Sequence, residues 1–172
     1  MKGSLFLAID QGGSSSRAIA FDDRGAVVAS ASVPVAERRE GEDRVEQDPE
    51  ELVASVRAAI RECVIALGAD GARAIACAGL ATQRSSVACW DRASGRALSP
   101  VLSWQDRRAK DRLEGLADRA DEVRARTGLF LSPHYGATKL AWCLENLPEV
   151  GRARAEARLV FGPLASLSLI HI

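Results

Sequence analysis

Residues 5–22 read Leu-Phe-Leu-Ala-Ile-Asp-Gln-Gly-Gly-Ser-Ser-Ser-Arg-Ala-Ile-Ala-Phe-Asp, and they constrain the fold more than any other stretch. An apolar run stops at Asp10, a loop of small residues follows, and a second apolar run starts after Arg17. That pattern dictates two strands joined by a tight turn. Gly12 and Gly13 permit backbone conformations and close approaches that side chains block. Consecutive N–H groups in such a turn form a nest for anions. Ser14, Ser15 and Ser16 add donors, and Arg17 can balance phosphate charge. Asp10, at the strand end, can hold a magnesium ion through water. The same residues also make an ordinary Gly/Ser hairpin with a solvated aspartate, so residue types alone leave both open. Neither a Gly-Lys-Ser/Thr phosphate loop nor a Gly-x-Gly-x-x-Gly turn is present.

The 172 residues are expected to form one domain of ordinary size, α/β in class. A composition 47% hydrophobic and 27% charged excludes disorder. Lys plus Arg equals Asp plus Glu at 23 each, so no global field draws nucleic acid or an anionic membrane. Cys63, Cys77, Cys89 and Cys143 are scattered and only two histidines accompany them, which is not a zinc pattern. Reduced thiols in a cytoplasmic protein are expected. The first apolar run is too short for a signal peptide, and none approaches membrane-spanning length.

Further along, Ala26–Val33 reads as a third strand after the turn at 22–25, and the charged residues 37–47 as a surface connection. Asp48 is the expected N-cap of a helix with Pro49 at its first position and Glu51 completing a capping box. Leu52, Val56, Ile60, Cys63 and Leu67 form its apolar stripe, and Gly68 stops it. Ala74–Leu80 reads as a central strand, and Ser85–Trp90 and Ala97–Trp104 as two more about the turn Asp91–Gly95. Helices are expected over 106–120, facing solvent, and over 138–147, capped by Thr138. A meander followed by mixed helices and strands argues for a mixed sheet. Leu164–Ile172 ends without cap or polar tail, and the chain reads as truncated.

Two further clusters carry chemistry. Thr82-Gln83-Arg84-Ser85-Ser86 stands at the end of an apolar strand, where α/β folds build sites; Arg84 can hold a hydroxyl or a phosphate, or form a surface ion pair. In Trp104-Gln105-Asp106-Arg107-Arg108, Trp104 offers an apolar wall for a carbohydrate face, while Gln105 and Asp106 offer hydrogen bonds; packing and helix capping are equally open. His134 and Tyr135 follow Pro133 in a loop, where a lone histidine is more often structural. No Ser/His/Asp hydrolase order is present.

Taken in order, these segments resemble the N-terminal domain of the FGGY carbohydrate kinases, nearest their glycerol kinase branch. The resemblance runs through Ile9-Asp10-Gln11-Gly12, Ser15-Ser16-Arg17, Phe21-Asp22 and Val45-Glu46-Gln47-Asp48-Pro49-Glu50-Glu51. It continues through Gln83-Arg84, Trp90-Asp91-Arg92 with Gly95, and Trp104–Arg108. It ends with Thr127-Gly128-Leu129 and Thr138-Lys139-Leu140 with Trp142. It implies a ribonuclease H-like domain of the actin and hexokinase type, a mixed sheet flanked by helices and incomplete at its C-terminus. Residues 1–172 then make a partial N-terminal domain whose second domain is absent. The implied activity is transfer of the ATP γ-phosphoryl group to a sugar or polyol hydroxyl. Asp10 is implied to work with Mg2+, and Gln11, Gly12, Gly13, Ser14, Ser15 and Arg17 to line the ATP phosphates. Arg84, Ser85, Trp104, Asp106 and His134 are implied to line the substrate pocket.

Three departures bear on the substrate. The Thr-Thr pair of glycerol kinases is Gly13-Ser14 here. The glutamate that follows their pocket arginine is Ser85. Their pocket tyrosine, in Asp-Pro-Tyr, aligns with His134, and Tyr135 stands one place later. Selectivity depends on such polar partners, so a polyol or sugar other than glycerol is expected. The family's catalytic base matches no residue here, and the 172 residues alone are expected to be inactive. A different class remains as alternative: a non-catalytic, actin-like, nucleotide-responsive interaction domain. Small-molecule partners are expected, without nucleic acid or membrane; a homo-oligomer is left open.

Overall fold

Alternation of inward Leu7, Ile9 and Gln11 with outward Phe6 and Ala8 makes Leu5–Gln11 the first strand, β1, in a computed structural model that describes residues 3–171. β2 (Ser15–Phe21) returns antiparallel, with Asp10 opposite Arg17 and Gln11 opposite Ser16. The Asp22 carboxylate accepts the amides of Arg24 and Ala26 at 2.9 and 2.8 Å and closes the next turn. β3 (Val27–Pro34) pairs antiparallel with β2.

The expected surface connection at 37–47 is instead a hairpin, β4 (Arg38–Glu40) and β5 (Arg44–Gln47). Its cross-strand partners Arg38 and Glu46, and Glu40 and Arg44, carry opposite charges. Those charges hide the alternation, which survives only in the inward Val45 and Gln47.

Asp48 caps α1 (Pro49–Ala74), accepting the amides of Glu50 and Glu51 at 2.8 and 3.2 Å. Glu51 does not complete a capping box; its carboxylate accepts the amide of Ala36 at 2.8 Å. Gly68 breaks the helical dihedrals, with φ 69° and ψ 175°, but a further helical stretch follows to Ala74. β6 (Ile75–Thr82) then lies parallel to β1, giving the sheet order β3-β2-β1-β6. Val56, Ala59 and Cys63 of α1 pack on Leu7, Ile9, Ala18 and Ala20 of this sheet. The buried Leu7, Ile9 and Val56 side chains contribute about 1.5–3 kcal/mol each, and the alanines less.

β7 (Val87–Asp91) is buried throughout and is flanked by β8 (Val101–Leu102) and β9 (Leu159–Pro163), in the order β4-β5-β8-β7-β9. The strand expected at 97–104 shrinks to β8 and a bridge from Ala97 to Trp90. Pro100 has no amide to offer a ladder, and the Cys89 amide donates to the Ser99 hydroxyl at 2.9 Å instead of to a ladder carbonyl. The helix expected over 106–120 is a 3-10 helix, Lys110–Arg119, followed by α2 (Ala120–Thr127). α3 (Gly136–Asn146) starts before Thr138, with Tyr135 at the N-cap position and no side-chain cap. α4 (Pro148–Ala155) and α5 (Leu164–His171) complete the elements. Cys89, Leu102, Cys143, Val150 and Ala153 form this second core, with Leu140, Trp142 and Phe161 against it.

The chain divides into two compact units, each discontinuous in sequence. The first takes the segments ending at Glu37, running Gln47–Gln83 and starting at Ala165; the second takes Arg38–Glu46 and Arg84–Leu164. Each has its own core, and both mix strands with helices as the α/β expectation holds. Among the described residues no helix is long and apolar enough to cross a membrane.

Candidate functional site

The turn between β1 and β2 belongs to the first unit, and its carbonyls are drawn inward. Gln83 Nε2 donates to the Gly12 carbonyl at 2.8 Å, and Gln47 Nε2 to the Gly13 carbonyl at 2.8 Å. Gln83 Nε2 also donates to Gln47 Oε1 at 2.8 Å, so the two amides brace each other. The Val35 amide donates to the Ser14 carbonyl at 3.0 Å, and the Gly12 amide to Ser15 O at 2.9 Å. With those carbonyls fixed, the amides of Gly13 and Ser14 donate to no described residue. A Cβ on Gly12 would come within 3.0 Å of Ser15 O, whereas one on Gly13 meets nothing within 4 Å. A side chain at Gly12 would therefore push on the Ser15 carbonyl, and Gly13 faces open space.

Side chains around the turn divide by exposure. Ser14 is exposed and Ser15 half-buried, but Ser16 is buried with its hydroxyl 2.7 Å from that of Ser55. Ser16 is thus a brace between β2 and α1 and does not add a donor to the turn. Gln11 is fully buried; its side chain donates to Leu52 O at 3.3 Å and accepts from the Ser168 hydroxyl at 2.6 Å. Arg17 and Asp10, its register partner, form an ion pair with side chains 53% and 40% exposed. A carboxylate that open, beside unpartnered amides, fits a hydrated magnesium ion on phosphate oxygens. No group of three or more potential ligand side chains occurs among the described residues, so such an ion would rest on Asp10, water and phosphate.

The second unit carries the other cluster. Trp104, 43% exposed, meets His134 edge-on with ring centroids 5.8 Å apart, and His134 meets Tyr135 at 5.3 Å. Trp104, Gln105, Arg107, Ser132, Pro133 and His134 line a cavity of about 340 Å³. Arg84 is exposed and its guanidinium has no partner among the described residues. Ser85 holds the left-handed conformation, φ 66°, that non-glycine residues seldom adopt. Neither Arg84 nor Ser85 lines that cavity.

Asp106 faces the protein. It is 1% exposed, and its carboxylate accepts the Val45 amide at 2.8 Å and the Arg108 guanidinium at 2.6–3.0 Å. Arg108 also pairs with Glu46 at 2.7 Å and lies over the Trp142 ring at 4.5 Å. Those two carboxylates keep the guanidinium protonated against the burial that would discharge it.

Sequence reasoning missed the residues behind the turn and the pocket. Lys139 is 1% exposed, and Nζ donates to the carbonyls of Ser85, Ser103 and His134 at 3.1, 2.8 and 2.9 Å. Burial lowers its pKa from 10.5 to about 8. The signal was present: Gln47, Gln83, Glu46, Arg108, Lys139 and Trp142 all stand in the motifs that carried the resemblance.

The N-terminal domain model of the FGGY family of carbohydrate kinases matches residues 5–165. The chain belongs to this family. The glycerol kinase of Aromatoleum aromaticum is 41% identical over 173 aligned positions, covering 98% of this chain and 34% of that protein. That of Thermus brockianus is 40% identical over 158 positions, covering 91% and 32%. The chain spans about a third of the length of the curated relatives it matches. Among solved structures, the Plasmodium falciparum glycerol kinase with ADP superposes with a TM-score of 0.87 at 22% identity, over 96% of this chain and 33% of that one. A Rhodospirillum rubrum xylulose kinase gives 0.86 at 23% identity, over 96% and 33%. These two show the fold: the FGGY members share the actin and hexokinase type of mixed-sheet domain.

Proposed function

We propose that this chain is part of an ATP-dependent carbohydrate kinase and supplies the nucleotide-phosphate turn and one wall of the acceptor pocket. The observation that carries the proposal is the Gly12–Ser14 turn, whose carbonyls are tied inward while the Gly13 and Ser14 amides donate to no described residue. Those amides and the hydroxyls of Ser14 and Ser15 hold phosphate oxygens, and Arg17 exchanges Asp10 for phosphate. Asp10 holds the magnesium ion through water, Gly12 shapes the turn, and Gln11 backs it from the core. Bound ATP supplies the phosphoryl group and the ion offsets its charge; the chain's own contribution is positioning.

Arg84 takes substrate hydroxyls, and Trp104 with His134 walls one face of the acceptor. Ser85 sets the substrate apart from glycerol, since a serine and not a carboxylate follows Arg84. Asp106 serves the pocket through Arg108 and the fold. No residue is assigned the role of base toward the acceptor hydroxyl.

The test is a titration of the 172-residue chain with ATP, with and without magnesium, followed by amide resonances. Shifts at Gly12–Arg17 that require magnesium and vanish in Asp10→Asn are expected. Unmoved amides at millimolar Mg-ATP would overturn the reading. A parallel panel of polyols and sugars, read at the Trp104 indole, identifies the acceptor class.

A further inference from the structure

We infer that Lys139 is the positioning residue of the pocket wall: one buried ammonium ties three backbone segments together and so sets where Arg84, Trp104 and His134 present their side chains, a role that rests on this wall being the acceptor site proposed above. An ammonium has three protons and no lone pair to satisfy. All three are used on carbonyls, those of Ser85, Ser103 and His134. Each carbonyl lies at or beside a candidate pocket residue: Ser85 follows Arg84, Ser103 precedes Trp104, and His134 is one itself.

Two of these segments are distant in sequence, 54 and 36 residues from Lys139, and the third is local, 5 residues before it. The nearby charges are already matched to each other, since Asp106 bonds Arg108 and Arg108 bonds Glu46. No carboxylate touches Nζ among the described residues, so the ammonium is held by backbone alone. Ser85 is the residue most in need of a hold, because its φ of 66° is sparsely populated for serine. A second cross-link joins two of the segments: the Trp104 amide donates to the Ser86 hydroxyl at 3.0 Å. Lys139 is in turn anchored by α3, where Leu140 and Trp142 pack on the core and Trp142 lies under Arg108.

Deprotonation offers a test without mutation, because an amine keeps two N–H groups for three carbonyls. Other ionisable groups nearby are Asp106 and Arg108 after β8, His134 and Tyr135 before α3, and Cys143 one turn further along α3. In the wild-type chain the amides of Ser86, Trp104 and Tyr135, each following a bonded carbonyl, are expected to titrate together with one midpoint near pH 8. In Lys139→Met that joint titration disappears, and hydrogen exchange at the three amides quickens about tenfold while amides of β1–β3 stay protected. Affinity for a polyol or sugar that shifts the Trp104 indole falls about fivefold or more.

Separate midpoints, or three amides that ignore both pH and the substitution, would overturn the tie. If Lys139→Met does not fold, the wild-type titration decides alone. If no polyol or sugar moves Trp104, the acceptor reading falls, whereas the tie still stands or falls on the shared midpoint.

Discussion

Arg17 lies directly opposite Asp10 across the β1–β2 ladder, and its guanidinium donates to the Asp10 carboxylate. Both side chains are about half exposed, so solvent screens the pair to roughly 0–1 kcal/mol. Its value is positional: a carboxylate and a cation wait at the rim of a turn with open amides. Asp10→Asn is expected to shift folding stability by less than about 1 kcal/mol, while removing the magnesium dependence of ATP binding. Arg17→Ala should weaken ATP by about tenfold, the scale of one charge-assisted hydrogen bond. Calorimetric titration, with and without magnesium, checks both.

Behind the turn, Gln47 is 1% exposed and joins Gly13 to Gln83. Gln47→Ala removes the donor to the half-buried Gly13 carbonyl and the acceptor for Gln83, and should cost about 1 kcal/mol. Urea unfolding reads that loss, and faster exchange of the Gly12 and Val35 amides, which donate to Ser15 O and Ser14 O, reads the loosening of the turn.

Lys139 gives a pH dependence of definite sign. Burial lowers its pKa in the folded chain to about 8 from 10.5, so between those values the unfolded chain binds more protons. Stability therefore rises with pH across that window through this group, and the penalty is fully present below about pH 8. Thermal unfolding of wild type minus Lys139→Met, from pH 7 to 10.5, should show this rise. The local tie moves the other way, because the third carbonyl loses its proton donor as the buried charge is relieved.

Ser85 permits two opposed substitutions. Ser85→Gly relieves the left-handed backbone and should stabilise by about 0.5–1 kcal/mol, after the entropic cost of glycine is subtracted. Ser85→Glu places a carboxylate beside Arg84, and glycerol affinity should rise about tenfold. Glycerol titration of both variants, read at Trp104, separates backbone relief from the carboxylate.

In the first unit β1 and β2 were legible from their alternation and α1 from Asp48-Pro49. The apolar run of β6, expected to be a central strand, lies instead at the sheet edge with Ala76, Cys77, Ala78 and Gly79 exposed. An apolar run does not say which of its two sides is covered. Charge obscured the β4–β5 hairpin, where Arg38, Glu40, Arg44 and Glu46 read as solvent-facing yet pair with one another. α4 and β9 also escaped, since Pro148 looked like a terminator and sits instead at the first position of a new helix. For the site, small residues and a strand-end carboxylate marked the turn that we propose holds phosphate. Exposure could not be read from type: Ser16 turns inward beside exposed Ser14, and Asp106 is consumed by Val45 and Arg108. Lys139 stood in a motif of the resemblance, but nothing local says that a helical lysine points at three carbonyls.

The cysteines have a consequence of their own. Cys63 is sealed in the core of the first unit, Cys89 and Cys143 in that of the second, while Cys77 on β6 is exposed. The neighbouring Cys89 thiol and burial push Cys143 up, which keeps it in the unreactive thiol form. The chain thus carries a label for each half of itself. In the native state a thiol reagent consumes one equivalent at Cys77, a second when the first unit opens, and two more when the second does. Cooperative or stepwise melting can be counted in sulfur atoms, with no probe added.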